Sequence, residues 1–361
     1  MPDIYKNDAP VFPAPYKGMF TGGIVHPELW LWDSWCFEQD GVTHLYCLAL
    51  SRHTENGKPI HPRERNQYPF HIRHFISKNQ GYSWEDCGMF QSLSPNAQSY
   101  YSRNIWSGSV KPVPGGHKLV GFTGIRLQDK NHEFLQSIGV GRSRDGFHID
   151  SIQPQALSCP MRDYDDIIAA GYYLGPRDDL GANAGEGGGP ILAWRDPFIF
   201  VDASGEIHMF WSAKILPQQG AIAHAVLEVR NEEYRIKKLH KPMTLPDGAD
   251  ITQAEVPKIL HDKKRGLYYL LISACNRLHE DQKESEVSKT SRLYKSESLR
   301  GPWQFYRPGS SIIPGLENCF GASVLRADFD NDELHLICPI TEKAAPKWQL
   351  TFAPLKTMSL K

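Results

Sequence analysis

Five short, strongly apolar runs, each opening just after a turn-forming pair, set the frame within which this chain can fold. They are HLYCLAL (44–50), HKLVGFTGI (117–125), EIHMFWSA (206–213), LYYLLISA (267–274) and ELHLICPI (333–340). The pairs ahead of them are Asp40-Gly41, Gly115-Gly116, Ser204-Gly205, Arg265-Gly266 and Asn331-Asp332. Such runs after such pairs read as strands of β-hairpins. A second segment recurs ahead of each: LWDSWCF (31–37), IWSGSV (105–110), WRDPFIF (194–200), AEVPKIL (254–260) and CFGASVL (319–325). A third follows several of them, as in SKNQGYSWED (77–86), SRDGFHID (143–150) and YKSESLRGPWQF (294–305). The unit repeats at roughly 50–75 residues, room for four strands and their loops. Helical periodicity is weak, with 163–170 and 278–288 as the only prospects.

Four-stranded antiparallel units repeated about an axis make a propeller. The spacing therefore predicts an all-β, single-domain five-bladed β-propeller over 1–361, with blades near 30–90, 105–155, 193–240, 254–306 and 318–355. The first strand of each blade would line a central funnel and carry the functional side chains. The stretch 156–192 fits no blade and is expected to cap or flank the funnel mouth. Its Gly-rich end, 181–189, lacks the preceding strand and the Lys-Ser/Thr of a phosphate loop.

With 40 basic and 41 acidic residues the net charge is −1, which removes the electrostatic case for nucleic acid or anionic lipid as partner. No stretch approaches the ~18–20 apolar residues of a membrane span. The opening MPDIYKNDAPVFPAP has neither a basic nor an apolar leader region. Seven Cys, an odd number with no C-x-x-C pair, argue against a disulfide framework. A reducing compartment, the cytoplasm, is the expectation. Nine Trp among 11% aromatic residues suit a cleft that stacks on flat, apolar ring faces.

Three acids interrupt the first strands: Asp33 in W-D-S-W, Asp196 in W-R-D-P and Glu255 in Q-A-E-V-P. An unpaired charge in a buried strand is costly, so three such placements converging on one axis point to chemistry. Glycoside cleavage needs one carboxyl as acid and another as nucleophile or base. A third can hold sugar hydroxyls and keep the acid protonated through like-charge repulsion. Trp30, Trp32, Trp35, Trp106 and Trp194 stand beside these acids, some as sugar-stacking faces and at least half as blade packing.

W-D-S-W at 32–35, W-S-G-S at 106–109, R-D-P at 195–197 and Glu255 before Val256-Pro257 occur in the order found in glycoside hydrolase family 68. The chain resembles that family, the levansucrases, inulosucrases and some β-fructofuranosidases, whose five-bladed propeller is related to that of invertases. The resemblance implies a fructosyltransferase or fructosidase acting on sucrose or short β-fructosides, with retention through a fructosyl-enzyme. It implies Asp33 as nucleophile, Asp196 as transition-state stabiliser and Glu255 as general acid and then base. It places Trp32, Trp106, Ser107 and Arg195 around the fructose and Gln253 toward the leaving group, with Arg277 and His279 as further candidates there. The chain departs from the family in Cys36, where a Pro usually follows W-D-S-W, and in Val256, where an Arg usually follows the acid. Retention predicts the Asp33 and Glu255 carboxyls about 5–5.5 Å apart. No metal or organic cofactor is required.

Two readings compete: an inverting five-bladed arabinanase or xylosidase, and a propeller that binds carbohydrate without turning it over. Other motifs carry less. His132-Glu133 lacks the second His of a zinc-protease motif, since Gln136 stands there. Asp328-Phe329-Asp330-Asn331-Asp332 has Glu333 where a calcium loop needs Gly, so it reads as a hairpin turn. The basic stretch 61–65 reads as a solvated loop, with the funnel rim as its alternative.

Overall fold

The turns between first and second strands form as the pairs demand. Asp40 and Gly41 have φ of 54° and 75°, and Gly115 and Gly116 have φ of 103° and 79°. Two successive positive φ values give the tight turn whose twist matches that of the strands. The computed structural model describes residues 9–126, 132–182, 192–279, 282–341 and 350–361. The Gly-rich stretch from 183 to 189 lies outside them.

Five antiparallel sheets follow one another as blades. Blade I comprises Leu29–Gln39, Val42–Ser51, His71–Ser77 and Ser83–Ser92, with Met19–Thr21 along its outer edge. Blade II comprises Asn104–Val113, His117–Arg126, Leu135–Ser143 and Ser151–Ile152. Blade III comprises Arg195–Val201, Ile207–Leu216, Gln219–Arg230 and Glu233–Leu239. Blade IV comprises Gln253–Asp262, Leu267–Cys275, Lys289–Ser296 and Gln304–Phe305. Blade V pairs Ser323–Asp328, Glu333–Ile337 and Lys356–Ser359, continued by Pro339–Ile340 against Thr351–Phe352. The segment at 319–325, read as a strand, becomes one only at Ser323, because Gly321 turns the chain at φ 84°.

Each of the five apolar clusters joins two successive blades. One packs Trp35, Tyr46 and Ile72 against Ile105 and Phe122, and the next packs Leu119 and Val140 against Ile199 and Trp211. Phe210 and Ile222 meet Leu270 and Tyr294, and Leu271 and Leu293 meet Leu334 and Leu336. The last puts Leu31, Leu45 and Phe75 against Ile337 and Phe352 and closes the ring. A blade is thus apolar on both faces, which is why the second strands read as continuous runs rather than alternations. Ile24 exchanges backbone hydrogen bonds of 3.1 and 3.0 Å with Phe352, so the two ends of the chain meet at that seam.

The connector between blades II and III is more ordered than the funnel-mouth loop expected from 156–192. It holds the helix Pro160–Ala169, and Ile167, Tyr172, Leu174 and Leu180 are buried against Trp194 and Trp211. The helical prospect at 163–170 meets this helix over 163–169; within 278–288 a short 3₁₀ turn forms at Glu284–Glu286. All seven cysteines are free thiols. Asp328 accepts from the Asn331 amide and closes a hairpin turn.

Candidate active site

Every first strand loses register with the second at an equivalent place: between Trp32 and Ser34, Trp106 and Gly108, Arg195 and Phe198, Glu255 and Lys258, and Val324 and Arg326. A bulge leaves residues unpaired and re-aims side chains. The residues released include Asp33, Ser107 and Asp196, with Glu255 at the bulge's edge. Asp33, Asp196 and Val256 take φ of 35°, 62° and 43°, a region non-glycine residues enter at a cost. Pro197 and Pro257 sit where the ladder is broken, so their missing N–H costs no strand hydrogen bond. The R-D-P and E-V-P motifs are thus the sequence of a bulge that carries an acid.

The bulges of blades I to IV are wired together. Ser107 Oγ donates to Asp33 Oδ2 at 2.6 Å. The Asp196 N–H donates to Thr123 Oγ1 at 2.8 Å, and that hydroxyl donates to the Ser107 carbonyl at 3.1 Å. The Val256 N–H donates to Asp196 Oδ2 at 3.2 Å. Arg195 spans the group, with Nη2 3.2 Å from Glu255 Oε1 and Nε 3.8 Å from Asp196 Oδ2. Asp196 is buried, whereas Asp33 and Glu255 remain partly open to solvent. Two carboxylates partly open to solvent therefore flank one that is buried.

Burial pushes the Asp33 carboxyl above its ordinary value, and the Ser107 hydrogen bond with the charges of Lys258, Arg65 and Arg195 pull it back. Burial raises Asp196 to about 6 against the pull of Arg195, and the Asp33 charge adds to the rise. Lys258 is 5% exposed, and its ammonium has no hydrogen-bond partner among the described residues. Burial drops it to about 8, with Asp33 and Asp196 holding it up. Two acids pushed up and one lysine pushed down, in one buried place, is the pattern of a catalytic site.

The remaining expected residues divide. Gln253 is buried and fully engaged, its Oε1 accepting from Arg195 and its Nε2 donating to the Arg277 carbonyl at 3.2 Å. It therefore positions Arg195. Arg277 lies beside it, with its guanidinium toward the Gln282 carbonyl at 3.4 Å. Trp32 and Trp106 adjoin the bulges but are 6% and 8% exposed and packed into the core, Trp32 edge-on to Phe70. Trp35 and Trp194 are interior, Trp194 donating to Ser158 Oγ, and neither offers a face for stacking. Trp30 is half-buried beneath the Arg52 guanidinium, 3.8 Å from its centroid.

Three participants went unread in the sequence, and a fourth, Arg65, entered only through the alternative reading of its basic stretch. Arg65, in the 3₁₀ turn Pro62–Gln67, brings its charge to bear on Asp33, so the basic stretch at 61–65 reaches the site. Thr123 and Lys258 look like ordinary strand residues. Gly321 packs so closely that a Cβ there would stand 2.6 Å from Asp33 Oδ1.

No protein-family model matches the chain, and no curated protein does. Solved structures do, over nearly its whole length. An inulosucrase from Halalkalicoccus jeotgali bound to kestose aligns at TM-score 0.65 and 18% identity, covering 99% of this chain and 91% of that one. Bacillus subtilis levansucrase aligns at TM-score 0.62 and 15% identity, covering 94% and 86%. A B. megaterium levansucrase variant aligns at TM-score 0.62 and 14% identity, covering 99% and 90%. The chain has the five-bladed propeller fold of these proteins. They are levansucrases and an inulosucrase, the group its motifs resemble.

Proposed function

We propose that the protein is a retaining fructosidase or fructosyltransferase of glycoside hydrolase family 68 type, acting on sucrose or short β-fructosides. The observation that carries this reading is the set of three carboxylates at the bulges of blades I, III and IV, Asp33, Asp196 and Glu255, with Ser107 of blade II on Asp33 and Arg195 on Glu255. The shared fold with an inulosucrase bound to kestose supports it. Asp33 attacks C2 of the fructosyl unit while Glu255 gives its proton to the departing glycosidic oxygen. The C2–O bond to glucose breaks and the C2–O bond to Asp33 forms. Glu255, now a carboxylate, takes the proton of an incoming water or sugar hydroxyl, and that oxygen displaces Asp33 from C2. Asp196 stabilises the oxocarbenium-like charge between the two steps.

The test is incubation with sucrose, measuring glucose and free fructose separately. Glucose release is expected, with loss of at least about a thousand-fold in Asp33→Ala and Glu255→Gln at unchanged fold. Equal glucose and fructose mean hydrolysis, and glucose in excess means transfer to another sugar. No glucose from sucrose and no fructose from kestose overturns the reading.

A further inference from the structure

The first hairpin of blade III turns through Asp202-Ala203-Ser204-Gly205-Glu206, at the opposite end of the strand Arg195–Val201 from Asp196. Among the described residues, Asp202, Glu206 and His208 form a group whose ligand atoms lie within 4.8 Å of one another. Each carboxylate spends one oxygen on the scaffold and turns the other to the imidazole. Asp202 Oδ1 accepts from the Ser204 N–H at 2.8 Å, the Ser204 hydroxyl at 2.7 Å and the Glu206 N–H at 2.9 Å. Its Oδ2 stands 3.4 Å from His208 Nε2. Glu206 Oε1 faces the Lys237 ammonium at 3.3 Å, and its Oε2 stands 3.7 Å from the same Nε2.

Asp202 Oδ2 at 3.4 Å makes a long hydrogen bond to His208, and Glu206 Oε2 at 3.7 Å stands beyond hydrogen-bond reach of the same nitrogen. Ligand atoms on a tetrahedral zinc ion with bonds of about 2.0–2.1 Å stand about 3.3 Å apart; the two distances to Nε2 are 3.4 and 3.7 Å, and the whole group spans no more than 4.8 Å. His208 is 6% exposed and cannot swing, because its Nδ1 lies 3.0 Å from His224 Nε2. His224 is itself stacked between Phe210, 4.4 Å away, and His240, 4.6 Å away. A ligating histidine characteristically has its second ring nitrogen fixed in this way. Both carboxylates are partly exposed, which leaves a side open for a further ligand.

We infer that Asp202, Glu206 and His208 form a divalent transition-metal site of the zinc class, which pins the hairpin of blade III. An imidazole in a three-ligand set disfavours calcium and magnesium, which take oxygen. The charges facing the site are Lys237 on Glu206 and Arg300 behind His224 and His240. Lys237, 56% exposed, can move off as the ion neutralises Glu206. The site is independent of the fructosyl-transfer reading.

Calorimetric titration of Zn²⁺ into chelator-treated full-length protein, with a parallel thermal melt, tests it. The wild type should take up one equivalent saturably and melt higher with zinc. His208→Gln and, separately, Asp202→Asn should each lose at least ten-fold in affinity for that equivalent and lose the rise in melting temperature. Two outcomes overturn the site: no saturable uptake by the wild type, or uptake that both variants retain, which would place the metal on cysteines or histidines elsewhere. If His208→Gln fails to fold without metal, Asp202→Asn decides alone.

Discussion

Lys258 stands three residues after Glu255, its ammonium buried without a hydrogen-bond partner among the described residues. Its positive charge favours the ionised forms of Asp33 and Asp196. Replacing it with Met removes that charge at similar volume, so both carboxyls should bind protons more tightly. In the proposed mechanism Asp33 must be ionised, and Asp196 beside it already sits near 6. The acid limb of kcat/KM should therefore move to higher pH in Lys258→Met, by about one unit or more. Activity should fall much more at pH 5.5 than at pH 8, and an unmoved limb assigns Lys258 a packing role only. The three acids were legible because charge in an apolar strand is anomalous. Lys258 was not, because in V-P-K-I-L it reads as the outward residue of an alternating strand. The bulge skips Val256 and Pro257 against one residue of the second strand, and the parity of every later residue changes.

That slip explains what could be read at the level of elements. The second strands were legible as five apolar runs because a blade buries both of its faces. The bulges were not, since a one-residue register shift leaves no mark on composition, although R-D-P and E-V-P carry its trace in their prolines. Arg65 was legible only as the alternative placement of its basic stretch, since its loop has no periodicity and is shaped by Pro62 and Tyr68. Thr123 tests the coupling between bulges. Its hydroxyl serves the Asp196 N–H and the Ser107 carbonyl at once. Thr123→Val keeps the shape and strands both groups, a buried loss of about 1–3 kcal/mol. Denaturant melts should show that loss. Activity should drop about ten-fold or more because Asp196 and Ser107 both shift. Full activity with reduced stability would mean that the bulges hold their shape without the bridge.

At the scale of the whole molecule, the ring closes where the leading segment meets blade V at the Ile24–Phe352 seam, and a buried ion pair in blade I holds the residues that lead there. Arg73, with no exposed surface, binds Asp86 through Nε at 2.8 Å and Nη2 at 2.5 Å. It also donates to the carbonyls of Pro13 at 2.8 Å and Ala14 at 2.9 Å. Asp86 further accepts from the Tyr16 N–H at 2.7 Å and meets His26 Nε2 at 3.3 Å. One carboxylate thus straps the leading segment to the outer edge of blade I. Burial pushes the Asp86 carboxyl up, but the bonds from His26 and Arg73 outweigh it and hold it well below the usual carboxylate range. Its folded value lies below its unfolded one. Its contribution is then complete above the unfolded value of about 3.9 and is lost only as pH falls through the folded one. Asp86→Ala leaves Arg73 buried without its counter-charge, a loss of about 3–5 kcal/mol. The difference from the wild type should stay flat from pH 8 to about 5 and shrink only below about 4. Limited proteolysis should cut the variant near Tyr16-Lys17, where the strap has been released. Stability equal to the wild type at pH 7, with that segment still protected, would show that the leading segment stays on blade I without this carboxylate.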